Sequence, residues 1–209
     1  MAGLIKTITA IVVAVFLQAG MNGATDVSPA QEADAFMKGM TTLQKETVDL
    51  YMGNDIVNFL VNVEGDEKDV KRMQEALFRN FTYEIVADEE RNGLAVVKIS
   101  IKGNDFSKVL KKYEKESYKY VTENLYDEDI TDKKKLNNKC MSIYVDQIEK
   151  TAKNGKLKED TIYLPMEDDG HNQWNVLLND EVMTAIIGHL SLPDGVVDSG
   201  EDGEEKEKQ

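Results

Sequence analysis

The chain's nucleophile and base inventory, beyond carboxylates, hydroxyls and amines, is one thiol and two imidazoles: Cys140, His171 and His189. A thiol turns nucleophilic when a neighbouring base or cation holds it as thiolate. Cys140 has no histidine or second cysteine near it in sequence and falls on the apolar stripe of a helical segment, so it reads as a buried, inert group. His171 and His189 form neither H-x-x-x-H nor H-E-x-x-H, which removes the spacing that zinc or a paired general base would need. A single cysteine excludes an internal disulfide framework and a multi-thiolate zinc site. The acidic runs Asp127-Glu128-Asp129 and Glu167-Asp168-Asp169 lack the alternation by which calcium loops converge their oxygens, and they read as solvated turns. There is no G-x-S-x-G elbow and no G-x-x-x-x-G-K-[ST] loop. The expectation is therefore no catalytic residue, no cofactor-binding residue, no metal ligand and no cofactor.

Composition narrows the partners. The 209 residues are 41% hydrophobic, enough for a packed core, and they carry 39 carboxylates against 25 Lys and Arg, a net charge of −14. Such a polyanion is repelled by phosphate backbones and by anionic membranes, so no nucleic-acid partner is expected. The Lys108–Lys119 and Lys133–Lys135 stretches carry Tyr113, Tyr118 and Tyr120, a mixture that can grip anionic polymers. Here Tyr113 and Tyr120 belong to a packing stripe, and Glu114, Glu116 and Glu123 dilute the charge. A solvated helix face fits better. Trp174 reads as a core residue.

The first twenty residues form a separate element. Lys6 supplies a positive start and Thr7–Leu17 is an uncharged apolar run of eleven residues, too short for a span of about 20. Residues 1–20 are expected to be a signal peptide or, if uncut, a membrane tether. Leu17-Gln18-Ala19-Gly20 approaches a bacterial lipobox, but Met21 stands where a lipid-bearing cysteine is needed, so lipid attachment there is not expected. Residues 21–27 read as a linker. From Asp194 onward seven carboxylates face two lysines, and residues 193–209 are expected to be a disordered acidic tail.

Between these ends the periodicity changes twice. Ser28-Pro29-Ala30-Gln31 opens a helix with a capping box, carrying Ala33, Phe36, Met37 and Met40. Thr42–Met52 predicts a second helix, interrupted at Gly53-Asn54-Asp55, and Ile56–Val63 fits either helix or strand. Asp66 caps a helix bearing Val70, Met73, Leu77 and Phe78. Alternation from Phe81 to Val86 then predicts a strand, Asp88–Gly93 a turn ending in Asn92-Gly93, and Leu94–Lys102 the returning strand. A long helix over Phe106–Tyr126 places Val109, Tyr113, Tyr120, Val121 and Leu125 on one stripe. Another begins near Thr131 and ends at Asn154-Gly155. Thr161–Met166 and Trp174–Leu178 predict a second hairpin, with Pro165 marking an edge or bulge, and Asp180 caps a last short helix. Residues 28–192 thus read as one α+β domain: an antiparallel four-stranded sheet of two hairpins, covered by helices on one face.

VKISIKGNDFSKVLKKY and TIYLPMEDDGHNQWNVLLNDEVMTAIIGHL carry a resemblance. Together with the leader and the Ser-Pro helix opening, the chain resembles small secreted lipoproteins of Gram-positive bacteria with a cystatin-like, nuclear-transport-factor-two-like domain of unknown function, over about residues 28–190. The resemblance implies a curved sheet wrapped around a helix and often a pocket. It supplies no catalytic residues, and Met21 departs from its usual lipobox cysteine. The expectation is an exported, extracytoplasmic protein, secreted or cell-envelope associated. It would be a non-enzymatic binding or interaction module for an envelope protein or small ligand, touching membrane only through residues 1–20. The alternative is a hydrolase or isomerase with an acid/base pair in the concave pocket, recognised by a carboxylate and a His or Tyr converging in an apolar cavity.

Overall fold

The computed structural model describes residues 27–170 and 173–193. The leader, nearly all of the linker, His171 and the acidic tail lie outside these residues. The element order is α1 (Pro29–Thr41), α2 (Lys45–Leu50), α3 (Asp55–Asn62), α4 (Glu67–Phe78), β1 (Thr82–Arg91), β2 (Leu94–Asn104), α5 (Val109–Glu123), α6 (Glu128–Thr131), α7 (Lys133–Asn154), β3 (Leu157–Asp168), β4 (Trp174–Val176) and α8 (Asp180–Ile186). The strands form one sheet in the order β1-β2-β3-β4, antiparallel throughout.

Local chemistry explains most of the boundaries. The Ser28 hydroxyl accepts from the Gln31 N–H while the Gln31 side chain accepts from the Ser28 N–H, completing the box at α1. Leu43 takes a left-handed φ of 51°, which splits the expected 42–52 helix and leaves only the short α2. Asn54 Oδ1 accepts from the Ile56 and Val57 N–H groups, so the segment that fitted helix or strand is helix α3. Asp66 caps α4, as its position predicts. Asp132 caps α7 through the Lys134 and Lys135 N–H groups, which puts its start within two residues of the expected Thr131.

The expected turn at 88–93 is much shorter. Only Asn92 and Gly93, both with positive φ, turn the chain, as a two-residue hairpin of opposite-handed turn requires. Asp88, Glu89 and Glu90 instead pair with Val97, Val96 and Ala95. β1 is an edge strand, where a carboxylate row is tolerated and discourages pairing with other chains. Pro165 is interior, between Val96 of β2 and the Leu177 N–H that donates to its carbonyl. It has no N–H to donate back, and the β3–β4 ladder stops there after three residue pairs.

Alternation gives the sheet one apolar face: Ala95, Val97, Ile99 and Ile101 of β2 meet Ile162, Leu164 and Met166 of β3, all buried. Helix α1 lies across this face against β1, β2 and β4, and α8 lies against β3. Phe36, Met37 and Met40 of α1 and Met183 and Ile186 of α8 complete that layer of the core. Trp174 joins it, 8% exposed, as its sequence context predicts. Farther out, α7 packs on α4 and α5 packs on α7. Tyr144 of α7 is fully buried, stacks edge-on against Phe59 and Tyr113, and donates its hydroxyl hydrogen to the Ser191 carbonyl at 2.8 Å.

Helix α5 departs from expectation. It begins at Val109 rather than Phe106; the Phe106 N–H donates to the Gly188 carbonyl at 2.8 Å, and the Phe106 carbonyl accepts from the Val109 N–H in a single tight turn. Its stripe meets α7 rather than the sheet, so Val109 alone is buried and Leu125 and Tyr126 lie exposed beyond its end.

Candidate functional site

The strands and α8 bring together charged groups that sequence spacing keeps apart. Even-numbered residues of β3 face inward, so Lys158 and Asp160 project beneath the end of α8. Ile187 ends that helix, and the Gly188 and His189 N–H groups return to the Ala185 and Thr184 carbonyls. This motif holds Gly188 at φ 64° and His189 at φ 59°, aiming the imidazole at β3. His189 Nε2 lies 2.9 Å from Asp160 Oδ2 and 2.9 Å from Lys158 Nζ. A protonated Nε2 donates to Asp160; an unprotonated one accepts from Lys158. The His189 hydrogen bond, reinforced by the Thr161 N–H and by Lys158, holds the Asp160 carboxyl below the usual carboxylate range.

A carboxylate and an imidazole do converge here, beside Leu77, Phe81, Ile101 and the buried Asn104, whose Nδ2 has no hydrogen-bond partner among the described residues. Size decides what this can do. The cavity is about 10 Å³, room for one water-sized group, whereas ligand pockets run from ~300 to 1,000 Å³. As it stands, the cluster braces the junction of β2, β3 and α8.

Cys140 lies less deeply than the buried thiol its helical stripe predicts. It is half-buried, and burial pushes its thiol up while a Tyr113 hydrogen bond only partly offsets this. Lys108, just before α5, and Lys111, Lys112 and Lys115 on it are exposed. Between α5 and α7 lies a polar groove of about 250 Å³, where Lys139 sits over the Tyr120 ring at 5.4 Å.

A larger concavity lies elsewhere among the described residues, where the α2–α3 turn meets the chain leaving β4. It is an open groove of about 570 Å³, lined by Leu50, Tyr51, Val176, Leu177 and Leu178, with Asp55 and Asp180 at its polar margin. Leu50 is 78% exposed and Leu177 44% exposed. Asn54 ties the two sides together by donating to Asp180 Oδ1 at 2.7 Å. Asn179, rather than Asp180, caps α8 through the Val182 N–H. Burial chiefly, and then the charge of Glu32, push the Tyr51 hydroxyl up, and a backbone hydrogen bond from Val176 pulls the other way. Phe36 fixes the Tyr51 ring edge-on at 5.3 Å. No single sequence motif announces this site, since its walls lie more than 120 residues apart, as the Asn54–Asp180 bond shows.

Residues 8–190 match a family described as Domain of unknown function (DUF5105). The chain belongs to this family. The DUF5105 region holds every described helix and strand, the groove and the Asp160–His189 cluster. Among solved structures, the chain is similar to a "putative lipoprotein (ycdA)" from Bacillus subtilis, with 17% identity and a TM-score of 0.41. The match covers 58% of this chain and 37% of that chain. No curated protein matches the chain. Among the described residues, no helix is long and apolar enough to cross a membrane.

Proposed function

We propose that the protein is an exported, non-enzymatic binding module of the cell envelope, and that the groove beside β4 is its binding surface. The observation that carries this reading is exposed Leu50 and Leu177 lining an open groove of about 570 Å³. Exposed leucines set among polar groups in a ligand-sized concavity give a recognition site both apolar contact and orientation. Export rests on the charge and length of residues 1–20. The cystatin-like, nuclear-transport-factor-two-like reading is supported by α1 lying across the sheet face against β1, β2 and β4.

The test uses a neutral amphipathic probe, an acetylated and amidated 14-residue Leu/Gln peptide of helical period. The full chain is expected to bind it one-to-one, with NMR shifts centred on Leu50, Gly53 and Leu177. Leu177→Asp should weaken binding at least tenfold with an unchanged circular dichroism spectrum, because it places a charge on the apolar surface that the probe covers. No binding, or binding that ignores Leu177→Asp, overturns the reading. Amino-terminal sequencing of protein from the native host tests export, expecting loss of the leader.

A second reading, hydrolysis or isomerisation, draws on the 2.9 Å contact between His189 and Asp160. Turnover abolished by both His189→Gln and Asp160→Asn would favour it.

A further inference from the structure

We propose that the groove selects a positively charged partner: an amphipathic segment of another protein carrying Lys or Arg beside its apolar face. This rests on the groove being the binding surface and adds what it discriminates. Two α-helices start at the groove, α3 behind Asn54 and α8 behind Asn179. Helix starts ordinarily favour anions, because free N–H groups and the helix dipole point outward. Here the asparagine caps take part of that donor set. Asn54 Oδ1 accepts from the Ile56 and Val57 N–H groups, and Asn179 Oδ1 accepts from that of Val182.

What remains at the rim is carboxylate. Asp55 and Asp180 are each the first residue of a helix, both are exposed, and neither has a Lys or Arg partner among the described residues. Among the described residues the side-chain hydrogen bond to Asp180 comes from the neutral amide of Asn54. A helix end carries about half a positive charge, less than one carboxylate, so the rim stays negative. Exposed Leu50 and Leu177 beside two uncompensated carboxylates are complementary to an amphipathic cation. An anionic lipid surface is the wrong occupant, since the rim and the net charge of −14 both oppose approach.

The experiment compares three 14-residue peptides of one helical pattern, Leu/Lys, Leu/Gln and Leu/Glu, titrated calorimetrically into the full chain at 0.15 M salt. The Leu/Lys peptide is expected to bind at least tenfold tighter than Leu/Gln, and Leu/Glu more weakly than either. Asp55→Asn with Asp180→Asn should erase the Leu/Lys preference and leave Leu/Gln affinity unchanged, since asparagine keeps an oxygen for Asn54. Glu89→Gln with Glu90→Gln, removing the same charge from the β1 edge, should leave the preference intact. If Leu/Lys binds no better than Leu/Gln, or the β1 pair erases the preference as well, selection by the groove is overturned while the binding surface stands. If no peptide binds, the binding surface itself falls.

Discussion

Gly188→Ala is expected to cost about 3 kcal/mol of folding stability and to lower the melting temperature by about 6–12 °C. Two effects add. Gly188 sits at φ 64°, where an L side chain costs about 1–2 kcal/mol. The added Cβ would also lie 2.1 Å from the Asn104 carbonyl oxygen and 2.9 Å from the Phe106 ring. Backbone cannot swing aside as a flexible side chain does, so the segment after α8 must shift away from the end of β2 at a further ~1–3 kcal/mol. Gly53→Ala is the control. Nothing lies within 4 Å of its Cβ position and its φ is not positive, so its effect should stay within about 0.5 kcal/mol. Equal melting temperatures for the two variants would refute the close packing of Gly188 on the end of β2.

Arg72→Met is expected to cost about 2 kcal/mol at neutral pH, and the loss should shrink in acid. The guanidinium joins α4 to α7, meeting Asp69 Oδ1 at 2.6 Å, Asp146 Oδ1 at 2.7 Å and Glu149 Oε2 at 2.8 Å. Asp69 and Glu149 are largely shielded from solvent, with side chains 13% and 19% exposed, whereas Asp146 is 47% exposed. Screening makes the Asp146 contact worth least, and removing the cation leaves the other two carboxylates facing methylene. The Arg72 hydrogen bond holds Glu149 below its usual 4.5. A carboxyl with a depressed folded-state value contributes stability that is fully present above its unfolded value and is lost as pH falls through the folded one. Denaturant midpoints of the parent and Arg72→Met should therefore differ most above about pH 5 and converge below it. A constant gap from pH 3 to 7 would show that lost packing, not charge, sets the cost.

Short-range chemistry was legible and long-range assembly was not. The Ser28 box, the Asp66 cap and the Asn92-Gly93 turn each close within a few residues, so composition at those positions decides them. Asp88–Glu90 looked like a turn because acids are poor strand formers; only their place on an edge strand makes them tolerable. Pro165 looked like an edge signal, and its effect instead was to end a ladder inside the sheet. The Arg72 clamp spans up to 77 residues and the His189–Asp160 contact 29. Neither separation leaves a period or motif to read. The groove escaped notice for the same reason: Leu50 and Leu177 look like ordinary apolar residues until folding leaves both uncovered.

Helix α5 carries one last consequence. It touches α7 and little else, and buries only Val109, while β2 is flanked on both sides and has four core side chains. Detaching α5 exposes far less apolar surface than unravelling the sheet. Its amide protons therefore reach solvent deuterium through a partial opening, leaving β2 to exchange only when the whole chain comes apart.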